Sequence, residues 1–551
     1  MKQLGQTTAR YKAIFAGRQT IISGSAIAKL SRHSITVLYV LGAVIVIFLI
    51  ASYSRNARLL FDESYNLNLI RTFVNEGIYG THMYEGYQYF DPNVSIGPPI
   101  TISAAVFFHF SDINAATTRN FVTVSFVIHL LLLWFAVRSL FGFHVASISV
   151  IVIAVMPWFL IGGLQILGEV PAVSLFFGGL AAYQRGLEAS KSKSMRWMLL
   201  AGVAFGLSFL SKELIIIGLL AILIRLVIDK SYLGMRWTTF LYGLVPLILS
   251  LLFIGAWRGF QIIAVSNMSP ETAAEWWKLS GNHYQVNWQY VLFAPFQRVG
   301  AAIRDLAINF GPQTFGFLVL VIAYVSQVRS LVRSIHKPYR AQFAHHVLMI
   351  AATLWLGWYV LLSGISAYTR HLVIGVVFSV AATVQIAWIF WHSPPNPIAK
   401  VEHLSGFSFR VPWLKVLAVG SFLLFIVGFA VHVQWNQRFI TKGSNVPQTE
   451  TTEWVIDHLS PDDGIAGWGW YVPWDISFLS ARFPTEVDLS MLEEPKANWF
   501  ILTPELVASK SGGEQLQTFV ACLGQPAFRN TQYEIYYISQ YCRKQMFHPQ
   551  Q

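Results

Sequence analysis

Long apolar runs recur along this chain, near residues 35–53, 117–138, 145–162, 170–185, 197–211, 213–228, 237–257, 312–328, 345–363, 369–391 and 413–433. A segment that must satisfy its own backbone in hydrocarbon does so as a helix, and about twenty residues are needed to cross. So many runs of that length point to one architecture, a polytopic α-helical membrane protein. Composition agrees, with 54% hydrophobic and only 12% charged residues, where soluble domains carry roughly 25% charged. The formal net charge of +12 therefore reads as a topology signal and not as a nucleic-acid surface. No GxxxxGK[ST] loop, CxxC pair or HExxH helix is present, and no repeat of solenoid or propeller period.

One shorter run, 99–110, follows Gly97-Pro98-Pro99, and the loop charges decide how to read it. If it does not cross, one side collects Lys2, Arg10, Lys12, Arg18, Lys29, Arg32, Arg138, Arg185, Lys191, Lys193, Arg196, Lys230, Arg236, Arg329, Arg333, Lys337, Arg340, Lys400, Arg410 and Lys415. The positive-inside rule makes that side cytoplasmic. If it did cross, these basic loops would split between the two faces. The segment 99–110 is thus expected to lie at the membrane surface or to re-enter, leaving about eleven spans, an inner N-terminus and an outer tail. The first run is a retained anchor, because Ser52-Tyr53-Ser54 is a poor cleavage site. The domains expected are a cytoplasmic tail over 1–34, a membrane domain over 35–435 with an outer loop at 54–116, and an extracytoplasmic soluble domain over 436–551.

The outer helix ends carry the polar chemistry. Asp62-Glu63 opens the first outer loop, Glu169 sits in "ILGEVPA", Lys212-Glu213 in "FLSKELI", and Arg370-His371 in "SAYTRHL". Ionisable residues at membrane depth are costly and by default suggest a function. Each also has a plainer reading. Asp62 would serve as the N-cap of an amphipathic helix whose Leu67, Ile70 and Val74 share a face and whose end is Gly77. Glu169 would punctuate a turn before Pro171, Lys212 would pair with Glu213 at a hairpin tip, and Arg370 would snorkel to headgroups. The runs 197–211 and 213–228 are short for a bilayer about 30 Å thick, so the tip between them is expected to sink until Lys212 reaches the depth of a lipid phosphate. Arg370 is a second cation for the same anion, and a phosphate held by two cations is a better leaving group.

"FDESYNLNLIRTFVNEGIYG", "GPPITISAAVFFHF", "LGEVPAVSLFFGGLAAYQRG", "GLSFLSKELIIIGLL" and "YTRHLVIGVVFSVAA" follow in that order. Together they resemble the GT-C superfamily of membrane glycosyltransferases, in the group containing the protein O-mannosyltransferases and the lipid A aminoarabinose transferases. The resemblance runs over about residues 35–391. It implies a polyprenyl-phosphate-linked sugar as donor and a site facing away from the cytoplasm. It matches Asp62 to the catalytic acid of the first loop, Lys212 to a donor-phosphate contact, and Arg370 to a basic residue near the same phosphate. Glu169 matches an acid on the acceptor side. His371 stands where a Tyr or Phe is commoner, and Glu213 directly beside Lys212 is a second departure. With a carboxylate near the anomeric carbon, the acceptor hydroxyl can lose its proton as the bond forms, which assigns Asp62 as base and Glu63 as support or acceptor contact. The helix is expected to rest its apolar face on the membrane and to hold Asp62 over the lipid phosphate. Carboxylates suit a divalent cation, but the resembling families are similar to metal-independent enzymes, so no metal or other cofactor is assigned.

Further acceptor contacts are expected at Asp91 and His82 in the first outer loop. Trp276, Trp277 and Trp288 suit either sugar stacking or the interfacial aromatic belt. His345, His346 and His392 lie near cytoplasmic ends and receive no chemistry. In the tail, "TEWVIDHLSPDDGIAGWG" reads as helix, turn and strand, and "NWFILTPELV" and "QYEIYYISQYC" read as strands, making a small α/β domain. In an oxidising outer compartment, Cys522 and Cys542 are candidates to pair. The expected partners are the lipid-linked donor, membrane lipids and an unidentified acceptor, with no nucleic acid. The alternative is a transporter or flippase of lipid-linked sugars, which calls for charges near mid-membrane and a repeat of the two halves.

Overall fold

The computed structural model describes residues 26–56, 58–84, 86–90, 96–232, 235–283, 343–361, 372–392, 427–436, 445–468, 473–482, 484–487, 497–503 and 513–547, together with 300, 304 and 420. The chain divides into two units, Met1–Leu49 and Ile50–Gln551. Helix α1 (Ala26–Asn56) runs out of the first unit into the second. In the first unit it exposes Val37, Leu38, Val40, Leu41, Val44, Ile47 and Phe48, a surface suited to lipid.

The second unit continues with α2 (Phe61–Glu76), the hairpin β1 (Gly80–Met83) and β2 (Gly86–Tyr89), and the short α3 (Pro98–His109). Next come α4 (Ala115–Phe141), α5 (Phe143–Ala154), α6 (Pro157–Gly163), α7 (Glu169–Glu188), α8 (Lys191–Ser211), a 3-10 turn (Glu213–Ile215), α9 (Ile216–Tyr232) and α10 (Trp237–Ser266). After them are α11 (Pro270–His283), α12 (Phe343–Leu361) and α13 (Leu372–His392). Every apolar run up to 257, and those at 345–363 and 369–391, coincides with one of these helices or with a broken pair. The run 312–328 and most of 413–433 lie outside the described residues.

Among the described residues, Thr36–Ser54, Ala115–Phe141, Lys193–Ser211 and Trp237–Ser266 are long and apolar enough to cross a membrane. The pair α5 and α6 qualifies as a fifth, bent by 82° at its break, where Pro157 cannot continue the helix before it. Helix α3 has 12 residues and so extends only about 18 Å at 1.5 Å per residue, too short to cross. It starts after extended Gly97 with Pro98 and Pro99 in its first turn, where the missing N–H groups cost nothing.

Helix α2 ends at Gly77 in the left-handed conformation, φ 73°, which only glycine adopts freely. Its Leu67 and Ile70 are fully buried, and Val74 packs beside them. This face does not lie on bare membrane. It packs on Ile100, Ala104 and Phe108 of α3, on Phe121 and Val122 of α4, and on Ile166 and Phe478. Protein partners replace the lipid because α3 is itself an apolar element that needs a cover.

The tail contains α14 (Val446–His458), β3 (Ile465–Trp468), α15 (Trp474–Ser480), β4 (Pro484–Val487), β5 (Trp499–Leu502), α16 (Gly513–Leu523), β6 (Phe528–Arg529), β7 (Glu534–Tyr537) and α17 (Gln540–Phe547). The strands form one sheet in the order β4-β3-β5-β7-β6, parallel across β4-β3-β5 and antiparallel beyond. Successive strand side chains point to opposite faces. Ile465, Ile501 and Ile535 therefore meet Val455 and Leu459 of α14 on one side. Ala466, Phe500 and Tyr536 meet Leu516, Phe519 and Cys542 on the other. A disulfide joins Cys522 in α16 to Cys542 in α17, with Cα atoms 5.5 Å apart. The segment "QYC" at the end of the last strand motif belongs to α17 and not to the strand.

Candidate active site

Two loops, the Gly97-Pro98-Pro99 segment and the one before Glu169, close on the end of α8, and α2 is joined to the second of them. The N-cap of α2 is Leu60, in extended conformation and without a side-chain cap. Asp62 is thus the second helical residue and not the cap. Its carboxylate lies in the first turn, where the positive end of the helix dipole favours negative charge. Asp62 keeps partial exposure while Glu63, Ser64 and Asn66 are buried.

Glu63 is fully enclosed and engaged by Arg119 of α4. Nη1 donates to Oε1 at 2.8 Å and Nη2 to Oε2 at 3.0 Å. The same guanidinium donates to the carbonyls of Leu164 and Arg58, each at 2.9 Å. Burial pushes the Glu63 carboxyl above its ordinary pKa, and Arg119 pulls it back. With both oxygens committed inside the protein, Glu63 has geometry for support and none for touching an acceptor. Arg119 escaped the sequence reading because it lies just inside an apolar run, 56 residues from its partner. A lone charge at the head of a spanning segment was the available signal.

Arg119 also organises the loop between α6 and α7. Beside its bond to the Leu164 carbonyl, Gln165 donates to the Tyr53 hydroxyl at 2.8 Å and Asn66 of α2 donates to the Ile166 carbonyl at 2.7 Å. The loop delivers Glu169 to the first turn of α7. There its Oε1 lies 3.1 Å from Nζ of Lys212, with both side chains nearly buried.

Lys212 ends α8 in extended conformation, φ −154° and ψ 115°. Two glycines make the approach to this end possible. A Cβ on Gly97 would come within 1.6 Å of the Leu210 carbonyl oxygen, and one on Gly168 within 2.2 Å of that of Ser211. The Gly-Pro-Pro segment and the Glu169 loop therefore press on adjacent carbonyls just before Lys212. The plainer reading of a Lys212–Glu213 tip pair is not met by the ion pairs among the described residues. Neighbouring residues in the turn face different ways, so Lys212 turns inward to Glu169 and half-exposed Glu213 pairs with Arg258 of α10. Arg258, which also donates to Gln261 at 2.8 Å, is a second cation that the sequence reading passed over.

An apolar cavity of about 700 Å³ begins beside Leu210 and is lined by Tyr79, Phe90, Pro98, Trp257 and Phe260 among others. Trp276 is buried under it, donating to the Phe90 carbonyl at 3.3 Å, whereas Trp277 is exposed. His82 lies on the β1-β2 hairpin with Nδ1 3.3 Å from Glu76 Oε1 and its ring against Tyr87. Asp91, Arg370, His371 and Trp288 fall outside the described residues. Among the described residues no three His, Cys, Asp or Glu side chains are grouped to hold a metal ion.

Residues 99–257 match the family model of the dolichyl-phosphate-mannose-protein mannosyltransferases. The matched stretch includes Arg119, Glu169 and Lys212 but neither Asp62 nor Arg370. No curated protein matches the chain. Among solved structures, ArnT from Cupriavidus metallidurans bound to undecaprenyl phosphate is 13% identical, with a TM-score of 0.52 over 92% of this chain and 98% of that one. Its apo state gives 14% identity, a TM-score of 0.54 and coverage of 93% and 99%. AglB from Archaeoglobus fulgidus, an archaeal oligosaccharyltransferase in complex with an inhibitory peptide and a dolichol-phosphate, is 13% identical, with a TM-score of 0.54 over 94% of this chain and 75% of that one. The chain shares its fold with ArnT and AglB, and the stretch from α3 to α10 is the part that matches the mannosyltransferase family model.

Proposed function

We infer that this chain is a multi-pass glycosyltransferase of the plasma (inner) membrane. It moves a hexosyl or pentosyl group from a polyprenyl-phosphate donor to an acceptor outside the cytoplasm, with inversion at the anomeric carbon. The observation that carries this reading is the near-buried Lys212–Glu169 pair, tied through the loop at 164–168 to the helix bearing Asp62. ArnT and AglB, which share the fold, were solved with polyprenyl-type phosphates.

In this reading Lys212 leaves Glu169 for the donor phosphate, and Arg370 with His371 adds the second contact. The acceptor hydroxyl oxygen attacks the anomeric carbon and Asp62 takes its proton. The bond from that carbon to the phosphate oxygen breaks, and the electron pair leaves with the lipid phosphate. Glu63 and Arg119 hold Asp62 in place. Glu169 faces the acceptor side, and the apolar cavity beside Leu210 suits the first units of the lipid chain. No metal ion is given a step, because Glu63 is already neutralised by Arg119. The membrane part, 35–435, would hold about eleven spans, with the tail from 436 as an outer α/β domain.

The test is sugar transfer from a polyprenyl-phosphate donor by Asp62→Asn. Asn preserves the shape and gives up only the dipole interaction of a first-turn carboxylate, about 0.3–1 kcal/mol, but it accepts no proton. Turnover is expected to fall about a hundred- to ten-thousandfold with donor binding retained. A stable, active Asp62→Asn protein would overturn the assignment.

A further inference from the structure

The tail grips the chain three residues before Asp62. Gln448 of α14 is buried, and its amide pairs with the backbone of Leu59 as a second peptide would. The Leu59 N–H donates to Gln448 Oε1 at 3.0 Å, and Gln448 Nε2 donates to the Leu59 carbonyl at 3.1 Å. Nε2 also donates to Asp475 Oδ2 at 2.6 Å. Asp475, in the first turn of α15, accepts in addition from the Tyr533 hydroxyl. An amide can be placed either way round, and the Asp475 carboxylate, which can only accept, selects the orientation that offers Oε1 to Leu59. Arg58 donates to Gln532 at 2.8 Å. At the other end of this contact, Arg71 of α2 donates to the Phe478 carbonyl and stacks 4.1 Å over its ring.

The other side of the same strap is held by Arg119 through the Arg58 carbonyl. Residues 58–60 therefore enter α2 between two fixed side chains, one from the membrane part and one from the tail. Leu60 offers no capping side chain of its own, so the direction of the first turn is set from outside the helix. Asp62 is in that turn.

We propose that Gln448 is a positioning residue for Asp62, held in register by Asp475, so that the tail completes the catalytic site. This rests on the reading of Asp62 as the base. The loss of aim should appear in turnover, because a displacement of about 1 Å at a reacting group can cost about a hundredfold.

The experiment uses the full chain in nanodiscs and compares Gln448→Ala with wild type. Turnover is expected to fall about ten- to hundredfold, with donor KM and Kd within about twofold. Hydrogen exchange in the peptide spanning 58–64 should accelerate. Unchanged turnover, or unchanged exchange in that peptide, overturns the proposal, as does a donor affinity that falls in step with turnover. Gln448→Glu puts an acceptor oxygen where Nε2 meets both Asp475 Oδ2 and the Leu59 carbonyl, so turnover should fall as in Gln448→Ala; wild-type turnover in Gln448→Glu counts against the proposal. If Gln448→Ala does not fold, Tyr533→Phe removes only the hydroxyl on Asp475 and should give a smaller loss of the same kind; wild-type turnover would refute. Asp62→Asn is run alongside. Activity in that variant sinks the base reading, while the exchange at 58–64 still reports whether Gln448 holds the strap.

Discussion

Replacing Glu63 by Gln tests the ion pair beneath the site with little change of shape. The Glu63 side chain is fully buried and that of Arg119 is 9% exposed, so solvent screening hardly weakens their interaction. Arg119 makes four hydrogen bonds, two of them to the Glu63 carboxylate. Glu63→Gln leaves the guanidinium three carbonyl-type acceptors but no counter-charge. Removing one partner of a buried pair typically costs about 3–5 kcal/mol, because the other charge stays buried. Arg119→Met should cost as much, and it also orphans the Leu164 and Arg58 carbonyls. The double variant Glu63→Gln with Arg119→Met removes both charges, so its loss should be well below the sum of the two single losses. Equilibrium unfolding in mixed micelles measures all three, and hydrogen exchange over 164–168 reports the loop. A Glu63→Gln protein within about 1 kcal/mol of wild type would refute the argument, since that is the worth of an exposed pair. On the proposed roles, with Asp62 as base and Glu63 as its support, its transfer activity should also exceed that of Asp62→Asn.

Lys212→Ala should weaken donor binding by roughly 1.5–3 kcal/mol, the worth of a charged hydrogen bond; binding within about twofold of wild type by titration with a polyprenyl phosphate would remove Lys212 from the phosphate site. Cysteines placed at exposed Ser190 and Ser460 should react with impermeant reagents from opposite sides of the membrane, and labelling from one side would reverse the topology. Burial raises the Tyr79 hydroxyl from 10.0 to about 12, so the unfolded chain loses this proton first as pH rises. Its contribution to stability is whole below pH 10 and declines between 10 and 12, by about 1.4 kcal/mol per pH unit. Tyr79→Phe should flatten that part of the curve, and an unchanged slope would mean that Tyr79 is not enclosed.

The helices were legible in the sequence because hydrophobicity and chain length are local properties. Each apolar run that falls in the described residues became a helix, Gly97-Pro98-Pro99 started the short α3, and Gly77 ended α2, all from spacing and backbone preference. The tail strands around Ile465, Phe500 and Ile535 were legible for the same reason. Partners were not. Asp62 and Glu63 are adjacent in sequence, yet one stays near solvent and the other is sealed under Arg119, because neighbours on a helix point about 100° apart and only the surroundings decide which is covered. Lys212 had Glu213 beside it and took Glu169 instead, since Gly97 and Gly168 let two distant loops close on the end of α8. The hold of Gln448 on Leu59 joins residues 389 apart in sequence. No periodicity encodes such a contact. It exists because the tail packs on α2, and that packing is decided by the fit of whole surfaces.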